Sequence, residues 1–165
     1  MTAVIPPMAT VNPATLRLGF GQIPSGIAAL CALLDDEPTG MVASTLTGVS
    51  LDPVLVSVCV QRSSRTWPRL REAPRLGISV LAEDQGHLCL RLARPEGDRF
   101  SGVPWRGRHH GAILIDGAAL HLETHLVAEY EAGDHVIALL GVEVLRGRTD
   151  VEPAVFHRSA IRRLR

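Results

Sequence analysis

The chain has 165 residues, of which 46% are hydrophobic, so it suits one compact domain with a real core and is too short for two of ordinary size. Seventeen basic residues balance seventeen acidic ones, and this neutral charge argues against a nucleic-acid-binding protein. No apolar run reaches membrane-spanning length and no secretory leader is recognisable, so we expect a cytoplasmic protein with no membrane partner.

The N-terminal part of the sequence predicts an arm followed by a helix. Residues 1–12 show no apolar period and are typical of a flexible arm, so we expect the folded domain to span residues 13–165. Asn12 precedes a proline, a pair that suits a helix start. The helix is predicted to run through about Gln22 and to bury Leu16 and Phe20, which lie one turn apart.

Apolar and β-branched runs between turn residues predict a mainly β domain. The predicted strands are residues 27–34, 39–46, 54–60, 76–81, 112–115, 118–130, 135–145 and 154–157. The first two should form a hairpin, and the third is apolar enough for a central strand buried on both faces. Because closure removes exposed strand edges, these antiparallel strands predict a small closed barrel.

The predicted helices and the one long loop lie in the connections between strands. Ser63 or Ser64 should cap a helix that runs through about Glu72. A second helix is predicted over residues 83–93, with Leu88, Leu92 and Ala93 at helical spacing. Residues 95–111 are rich in glycine, proline and charge, which predicts a long loop anchored by Phe100 and Trp105.

The segment from Gly40 to Trp67 carries the strongest functional signal. Hydroxyl side chains occur in two groups, one between apolar runs and one before the predicted helix; they are Ser44, Thr45, Thr47 and Ser50, then Ser63, Ser64 and Thr66. Hydroxyls and backbone N–H groups bind phosphate, and apolar strand surface binds a flat ring. Because the sequence has no GxGxxG or GxxxxGK[ST] motif, this pattern favours a phosphorylated ring cofactor over a dinucleotide fold.

Metal chemistry is a weaker alternative. Cys31, Cys59 and Cys89 form no CxxC pair, so no zinc ribbon or disulfide framework is indicated. His121, Glu123 and His125 alternate along one strand and would project from one face, a possible start for a metal site. The residues between them, Leu122, Thr124 and Leu126, instead give the pattern of a strand with one wet and one buried face, so we expect no metal.

Several of these residues carry a family resemblance. The chain resembles the flavin reductase-like group of FMN-binding split barrels, in which the common motif reads GMTANSFTSVSLDPPL and this chain has GMVASTLTGVSLDPVL. Further matches lie at residues 20–26, 98–102, 133–135 and 156–158. The resemblance implies an antiparallel Greek-key split β-barrel and a two-fold homodimer. Ser44 stands where members commonly have an amide side chain, which weakens the preference for FMN over FAD.

The resemblance also implies roles for individual residues. The implied cofactor-binding residues begin with Ala43, Ser44, Thr45 and Ser50, followed by Cys59, Val60 and Gln61 beside the ring. Ser63, Ser64 and Thr66 would bind the phosphate. Arg99 and Phe100 would close over the cofactor, possibly from the partner subunit. His135 would be the catalytic-site residue beside the nicotinamide, with His157 as a second contact. No acid, base or nucleophile is required, because hydride transfer is chemistry of the two cofactors.

Three functions are compatible with the sequence. The first is a reductase that transfers hydride from NADH or NADPH to FMN, with FAD possible, and supplies reduced flavin to a separate oxygenase. The second is a protein that holds FMN tightly as an electron carrier, and the third is the metal-binding barrel. The choice between NADH and NADPH would depend on a cation near the 2′-phosphate, for which Arg62, Arg65 and Arg106 are all candidates.

Overall fold

The computed structural model describes residues 12–164 and is built mainly of antiparallel strands. The helices are α1 (Pro13–Phe20), α2 (Trp67–Leu70) and α3 (Gly86–Leu92), with a 3₁₀ turn at His109–Gly111. The strands are β1 (Ser25–Gly26), β2 (Ala28–Leu34), β3 (Glu37–Ala43), β4 (Thr47–Leu51), β5 (Val54–Gln61), β6 (Leu76–Val80), β7 (Trp105–Gly107), β8 (Ile113–Ile115), β9 (Leu120–Ala132), β10 (His135–Gly147), β11 (Val155–His157) and β12 (Ala160–Arg162). The predicted mainly β, antiparallel class is confirmed. None of the helices within residues 12–164 is long and apolar enough to cross a membrane.

The helix predicted at the start of the domain forms, but it is shorter than expected and does not reach the core. The Asn12 side chain accepts a hydrogen bond from the backbone N–H of Ala14 at 2.8 Å, which caps α1 as predicted. The expected burial of Phe20 is wrong, since this side chain is 69% exposed, and Leu16 is only partly buried. The end of α1 is held by polar contacts instead, because Arg158 donates from Nε and a terminal nitrogen to Gln22 Oε1. The predicted arm, apart from Asn12, lies outside the described residues.

A seven-stranded sheet in the order β3-β2-β6-β9-β10-β5-β4 forms most of the domain. The predicted hairpin of β2 and β3 is confirmed, and it turns through Asp35 and Asp36 at φ of 52° and 62°. Consecutive residues with positive φ are typical of the tight turns whose twist matches that of the flanking strands. β9 and β10 form a second hairpin, which turns at Gly133, whose φ is +67°.

The main core lies against one face of this sheet. It joins Ala43 from β3 with Val58 and Val60 from β5, strands near opposite ends of the strand order, so the sheet curves around it. Closure into a complete barrel stays a prediction. The expected burial of β5 on both faces is wrong, because only alternate residues point inward and this strand lies next to the edge strand β4.

A second core lies under α3 and the long loop. Leu88 and Leu92 are buried there as predicted, whereas Ala93 is exposed. Phe100 and Trp105 meet edge to face, with ring centroids 6.4 Å apart, which confirms both as anchors of the loop. This part of the long loop is therefore packed against the sheet, even though its composition is that of a surface loop.

The helix predicted after the second hydroxyl group forms only one turn. It covers Trp67–Leu70 and ends before Glu72. Ser64, one of the two predicted capping residues, accepts a hydrogen bond from the backbone N–H of Trp67 at 3.1 Å. A single turn has little dipole of its own, so any phosphate held here must depend on side chains.

Candidate functional site

The residues predicted to lie beside the ring divide between the two faces of β5. The Val60 side chain is buried in the main core, so only its backbone can border a ligand. Cys59 is partly buried and Gln61 exposed on the opposite face. The cross-strand partners of these two residues in β10 are Ile137 and His135. An outer surface that combines a thiol, an amide, an aliphatic side chain and an imidazole is therefore available at this end of the sheet.

Thr45 has a structural task that the sequence did not indicate. Its hydroxyl oxygen accepts a hydrogen bond from the backbone N–H of Cys59 at 2.9 Å and donates to the Cys59 carbonyl oxygen at 3.1 Å. This side chain thereby joins the segment before β4 to β5 in place of a backbone pair. Ala43 faces the core, while Ser44 is partly buried and has no side-chain hydrogen bond among the described residues.

Ser50 lies apart from the other predicted site residues. It pairs with Leu55 in the β4–β5 hairpin, four residues before Cys59 on β5. At a rise of about 3.3 Å per residue, this places it roughly 13 Å along the strand from the Cys59 position. The structure therefore does not bring Ser50 into the group formed by Thr45, Cys59 and Gln61.

Arg99 connects the predicted phosphate residues to the long loop and to β3. One terminal guanidinium nitrogen donates to the Thr66 hydroxyl at 3.0 Å and to the Gly40 carbonyl oxygen at 2.9 Å. Its other terminal nitrogen lies 3.4 Å from the carbonyl oxygen of Pro95. Ser63, on the same segment as Thr66, is exposed. Arg99 and Thr66, two of the predicted cofactor-binding residues, are therefore in contact within a single subunit.

Gly40 is required by the way Phe100 packs. A Cβ atom at Gly40 would lie 2.8 Å from Phe100 Cζ and 2.7 Å from Cys31 Sγ. Both distances are shorter than side-chain contacts allow, so only glycine lets the Phe100 ring approach β3 this closely. The predicted closing residue Phe100 is therefore fixed against the strand by the first residue of the family motif.

A cavity of about 520 Å³ opens between β3, the 63–66 segment and the long loop. Its charged and hydroxyl-bearing lining residues are Glu37, Thr39, Arg65, Thr66, Arg69, Asp98 and Arg99. Glu37 and Arg69 were not among the sequence-predicted site residues. The signal that could have indicated Arg69 is its spacing from Arg65, because residues four apart would share one side of the longer helix that the sequence predicts there.

His135 lies at the start of β10, beside the tight turn. Its Nδ1 is 2.7 Å from Asp134 Oδ1, and this hydrogen bond, followed by the charge of the imidazolium, lowers the pKa of the Asp134 carboxyl. When Nδ1 carries the proton, Nε2 is left free for a ligand. His157 lies in the separate three-stranded sheet of β1, β11 and β12, so the two predicted nicotinamide contacts belong to different sheets.

The side chains of the possible metal site are directed to separate partners. His121 Nε2 lies 2.7 Å from a backbone carbonyl oxygen, and Glu123 accepts from Arg108 Nε at 2.9 Å. His125 Nδ1 is 3.1 Å from a carboxylate oxygen of Glu143, but the atoms are out of line for a hydrogen bond. Within residues 12–164, no three histidine, cysteine or acidic side chains come together as a metal site.

Comparison with known proteins identifies the family. The flavin reductase like domain matches residues 20–165. A flavin reductase from Pseudomonas putida is 33% identical over 150 residues, which cover 90% of this chain and 88% of that protein. The reductase subunit of a flavin-dependent monooxygenase from Mycobacterium tuberculosis is 30% identical over 145 residues, covering 88% of this chain and 78% of that protein.

A solved structure agrees with these sequence relatives. The NADH:FAD oxidoreductase of Streptomyces globisporus C-1027, in complex with NAD and FAD fragments, superposes with a TM-score of 0.88 at 35% identity. The superposition covers 95% of this chain and 97% of that one. The resemblance inferred from the motifs is confirmed, and the chain belongs to the flavin reductase-like family.

Proposed function

We propose that this chain is an NAD(P)H-dependent flavin reductase that reduces FMN or FAD. The observation that carries the proposal is the position of the arginine-lined cavity, whose lining includes Thr66, the last residue of the hydroxyl-bearing segment, and Arg99, which donates a hydrogen bond to it. Guanidinium groups and hydroxyls together are the usual ligands of a phosphate ester. The family relatives named above, a flavin reductase and an NADH:FAD oxidoreductase, support the same assignment.

The residues present fit a flavin at two points. Arg65, Arg69 and Arg99 surround a cavity suited to a phosphorylated group. The outer face of β5 and its neighbour β10 offers the partly buried Cys59 and Ile137 as apolar surface for a ring. A bound flavin would accept a hydride from the nicotinamide, and this is chemistry that no side chain of the protein supplies.

The protein's own contribution is orientation and exclusion of water. Thr45 fixes the segment before β4 through its two hydrogen bonds to Cys59, so the backbone on both sides of the proposed ring site is held in place. Phe100, which packs on Gly40, is the residue proposed to close over the cofactor. Holding two reactants face to face in this way contributes to the rate by removing translational and rotational freedom before reaction.

His135 is proposed to contact the nicotinamide. Its bond to Asp134 orients the ring and leaves Nε2 available, and its cross-strand neighbour is Gln61 at the end of β5. A donor or acceptor placed there can hold the carboxamide of the nicotinamide in one orientation. The His135→Ala variant should therefore raise the KM for NADH while leaving the dissociation constant of flavin unchanged, and an equal loss of both would contradict this role.

A homodimer is part of the proposal. Several large apolar side chains of the seven-stranded sheet are exposed in the single chain; Val49, Leu51 and Val54 lie on β4 and β5, and Val127 and Tyr130 lie on β9. The Leu51 side chain is 92% exposed, and large apolar side chains exposed together to water are unfavourable in a monomer. Light scattering coupled to gel filtration should give twice the 17.8 kDa mass of the chain, and a monomer would contradict the proposal.

The destination of the reduced flavin is proposed from the relatives. The Mycobacterium tuberculosis relative is the reductase subunit of a flavin-dependent monooxygenase, so a separate oxygenase is the proposed partner here. This requires flavin to leave the reductase after reduction. The alternative, a carrier that keeps its flavin, would retain the yellow colour through gel filtration.

A steady-state assay tests the proposal directly. The purified protein is given FMN, FAD or riboflavin with NADH or NADPH in all combinations, and nicotinamide oxidation is followed. Rapid oxidation that depends on added flavin supports a flavin reductase. Flavin retained through gel filtration with negligible oxidation would favour the electron carrier, and absence of both flavin binding and oxidation would refute both.

A further inference from the structure

A groove lies between the helix α1 and the turn that joins β11 to β12, and we call it the α1 groove. Its volume is about 430 Å³, within the range of about 300–1,000 Å³ that small-molecule sites occupy. None of the residues predicted to bind the flavin or the nicotinamide lines it. The side chains that border it are those of Ala14, Arg17, Leu18, Gln22, Arg158 and Ser159.

The α1 groove carries two positive charges, and its lining contains no acidic residue. The Arg17 side chain makes no hydrogen bond or ion pair within residues 12–164. Arg158 donates from Nε at 3.1 Å and from a terminal nitrogen at 2.9 Å to Gln22 Oε1, which belongs to a neutral amide. Because no carboxylate compensates either guanidinium group, an anion that enters the groove meets two arginines. Their planar donors bind a carboxylate in pairs.

The turn holds Arg158 in a backbone conformation that most residues avoid. The φ angle is 50° at Arg158 and 57° at Ser159, where glycine or asparagine is usual. The backbone N–H of Arg158 donates to the carbonyl oxygen of Gly21 at 2.9 Å, which ties the turn to the end of α1. Strained conformations of this kind cluster at ligand sites, where the surrounding structure has to offset their cost. The turn therefore fixes Arg158 at the groove in spite of its unfavourable backbone.

The α1 groove also has an apolar wall. The Leu18 side chain is 74% exposed, and Ala14 lies four residues before it, on the same side of α1. A site that combines apolar surface with a few convergent polar groups is typical of small-molecule binding. An inorganic anion has no hydrocarbon part that could cover Leu18. An organic acid can cover it and place its charge at the arginines.

We propose that the α1 groove binds a small organic acid, with its carboxylate at Arg17 and Arg158 and its hydrocarbon part against Leu18. This site is separate from the proposed flavin reductase function and does not depend on it. Recognition rests on the charge of the ligand, because the amide of the same acid carries no charge to attract the two guanidinium groups.

The test uses 3-phenylpropionate, in which a flexible chain joins a carboxylate to an aromatic ring. Calorimetry on the flavin-free protein, in chloride buffer without nicotinamide, should show one site per chain. The neutral 3-phenylpropionamide should bind about tenfold more weakly. Arg17→Gln and Leu18→Gln should each weaken 3-phenylpropionate binding about three- to tenfold. Both side chains are exposed and glutamine is a good helix former, so neither change disturbs the fold.

Arg94→Gln provides the matched control. Arg94 is exposed just after α3, lies outside the groove, and has no side-chain partner in the described part of the chain. This change removes the same charge as Arg17→Gln and should leave the dissociation constant unchanged. Equal weakening by the two changes would overturn the inference, because net charge alone would then attract the acid. Absence of binding would also overturn it, as would displacement of 3-phenylpropionate by inorganic phosphate at equal concentration.

Competition with the nicotinamide is measured separately, because Arg158 directly follows His157, a proposed nicotinamide contact. The dissociation constant of 3-phenylpropionate should be the same with and without saturating NAD⁺. An increase with NAD⁺ would overturn the inference, because the groove would then belong to the nicotinamide nucleotide. The inference and the proposed function fail independently. A chain that oxidises no NADH can still bind the acid, and a working flavin reductase can fail to bind it.

Discussion

Glu129 provides the most informative perturbation, because it connects the sheet to the segment that borders the cavity. One carboxylate oxygen accepts from the indole Nε1 of Trp67 at 2.7 Å, and the other lies 2.7 Å from a guanidinium nitrogen of Arg71. Trp67 and Arg71 flank the single turn of α2, which carries Arg69. Glu129 therefore positions α2 without itself lying in the cavity.

The change Glu129→Gln removes one of the two interactions that the carboxylate makes with Trp67 and Arg71. An amide has only one acceptor oxygen, so it can serve Trp67 or Arg71 but not both. A hydrogen bond to a charged group contributes about 1.5–3 kcal/mol, and the Glu129 side chain is only 16% exposed. Arg71 is 48% exposed and regains water when released, so the net loss should be about 1–2 kcal/mol of unfolding free energy.

Glu131→Gln is the matched control. Glu131 lies two residues further along β9 and pairs with Arg62 at 2.8 Å, but its side chain is 76% exposed. Surface ion pairs of this kind contribute about 0–1 kcal/mol. The two variants make the same chemical change on the same strand, so the difference between their unfolding free energies isolates the effect of burial and of the second bond.

Urea unfolding and thermal unfolding, both followed by tryptophan fluorescence, compare the two variants with the wild-type protein. For a domain of this length a loss of 1 kcal/mol corresponds to about 2–4 °C in Tm, so Glu129→Gln should melt about 2–8 °C below wild type. Its folded-state emission should also shift to the red as Trp67 loses its partner, and its flavin dissociation constant should rise. Equal stability of the two variants, with unchanged emission, would refute the positioning role of Glu129.

Three further predictions concern stability. Thr45→Val should destabilise the flavin-free protein by about 1–3 kcal/mol in urea by removing both bonds to Cys59, whereas Thr45→Ser should retain most of the stability; equal effects would contradict the role of the hydroxyl. Gly77→Ala should cost about 3 kcal/mol or more, because its Cβ would lie 1.9 Å from the Ile113 carbonyl oxygen, while Gly48→Ala has open space and should be nearly neutral. Burial raises the pKa of the Cys31 thiol to about 12, so the folded state keeps a proton that the unfolded chain loses above pH 9.0. The unfolding free energy of the wild-type protein should therefore fall as the pH rises above that point. Its slope should be steeper than that of Cys31→Ala by about 1.4 kcal/mol per pH unit, and parallel pH profiles of the two proteins would contradict this.

The local features of the fold could be predicted from short stretches of sequence. The hairpin of the first two predicted strands was expected, and Asp35 and Asp36 in its turn adopt the positive φ values that such turns require. Asn12 was expected to cap the first helix, and its side chain does so. These features depend on steric and hydrogen-bonding preferences of a few neighbouring residues, so they survive in almost any tertiary setting.

The errors arose where the outcome depended on distant partners. The apolar run of β5 was interpreted as buried on both faces, but its position beside the edge strand β4 leaves one face open to solvent or to a ligand. Phe20 was expected in the core, but none of the residues of α1 is buried. Apolar character alone does not say which other surface will cover a residue.

The candidate site shows the same division. The sequence by itself determined that hydroxyls of the 44–50 and 63–66 segments belong to a flavin reductase-like motif, because the order and spacing of these residues are specific. Only the tertiary structure decided that the Thr45 hydroxyl is bound to Cys59 and that Arg69 shares a cavity with Glu37. The physical reason is that residues far apart in the chain meet through strand order and packing, which no local pattern of side chains encodes.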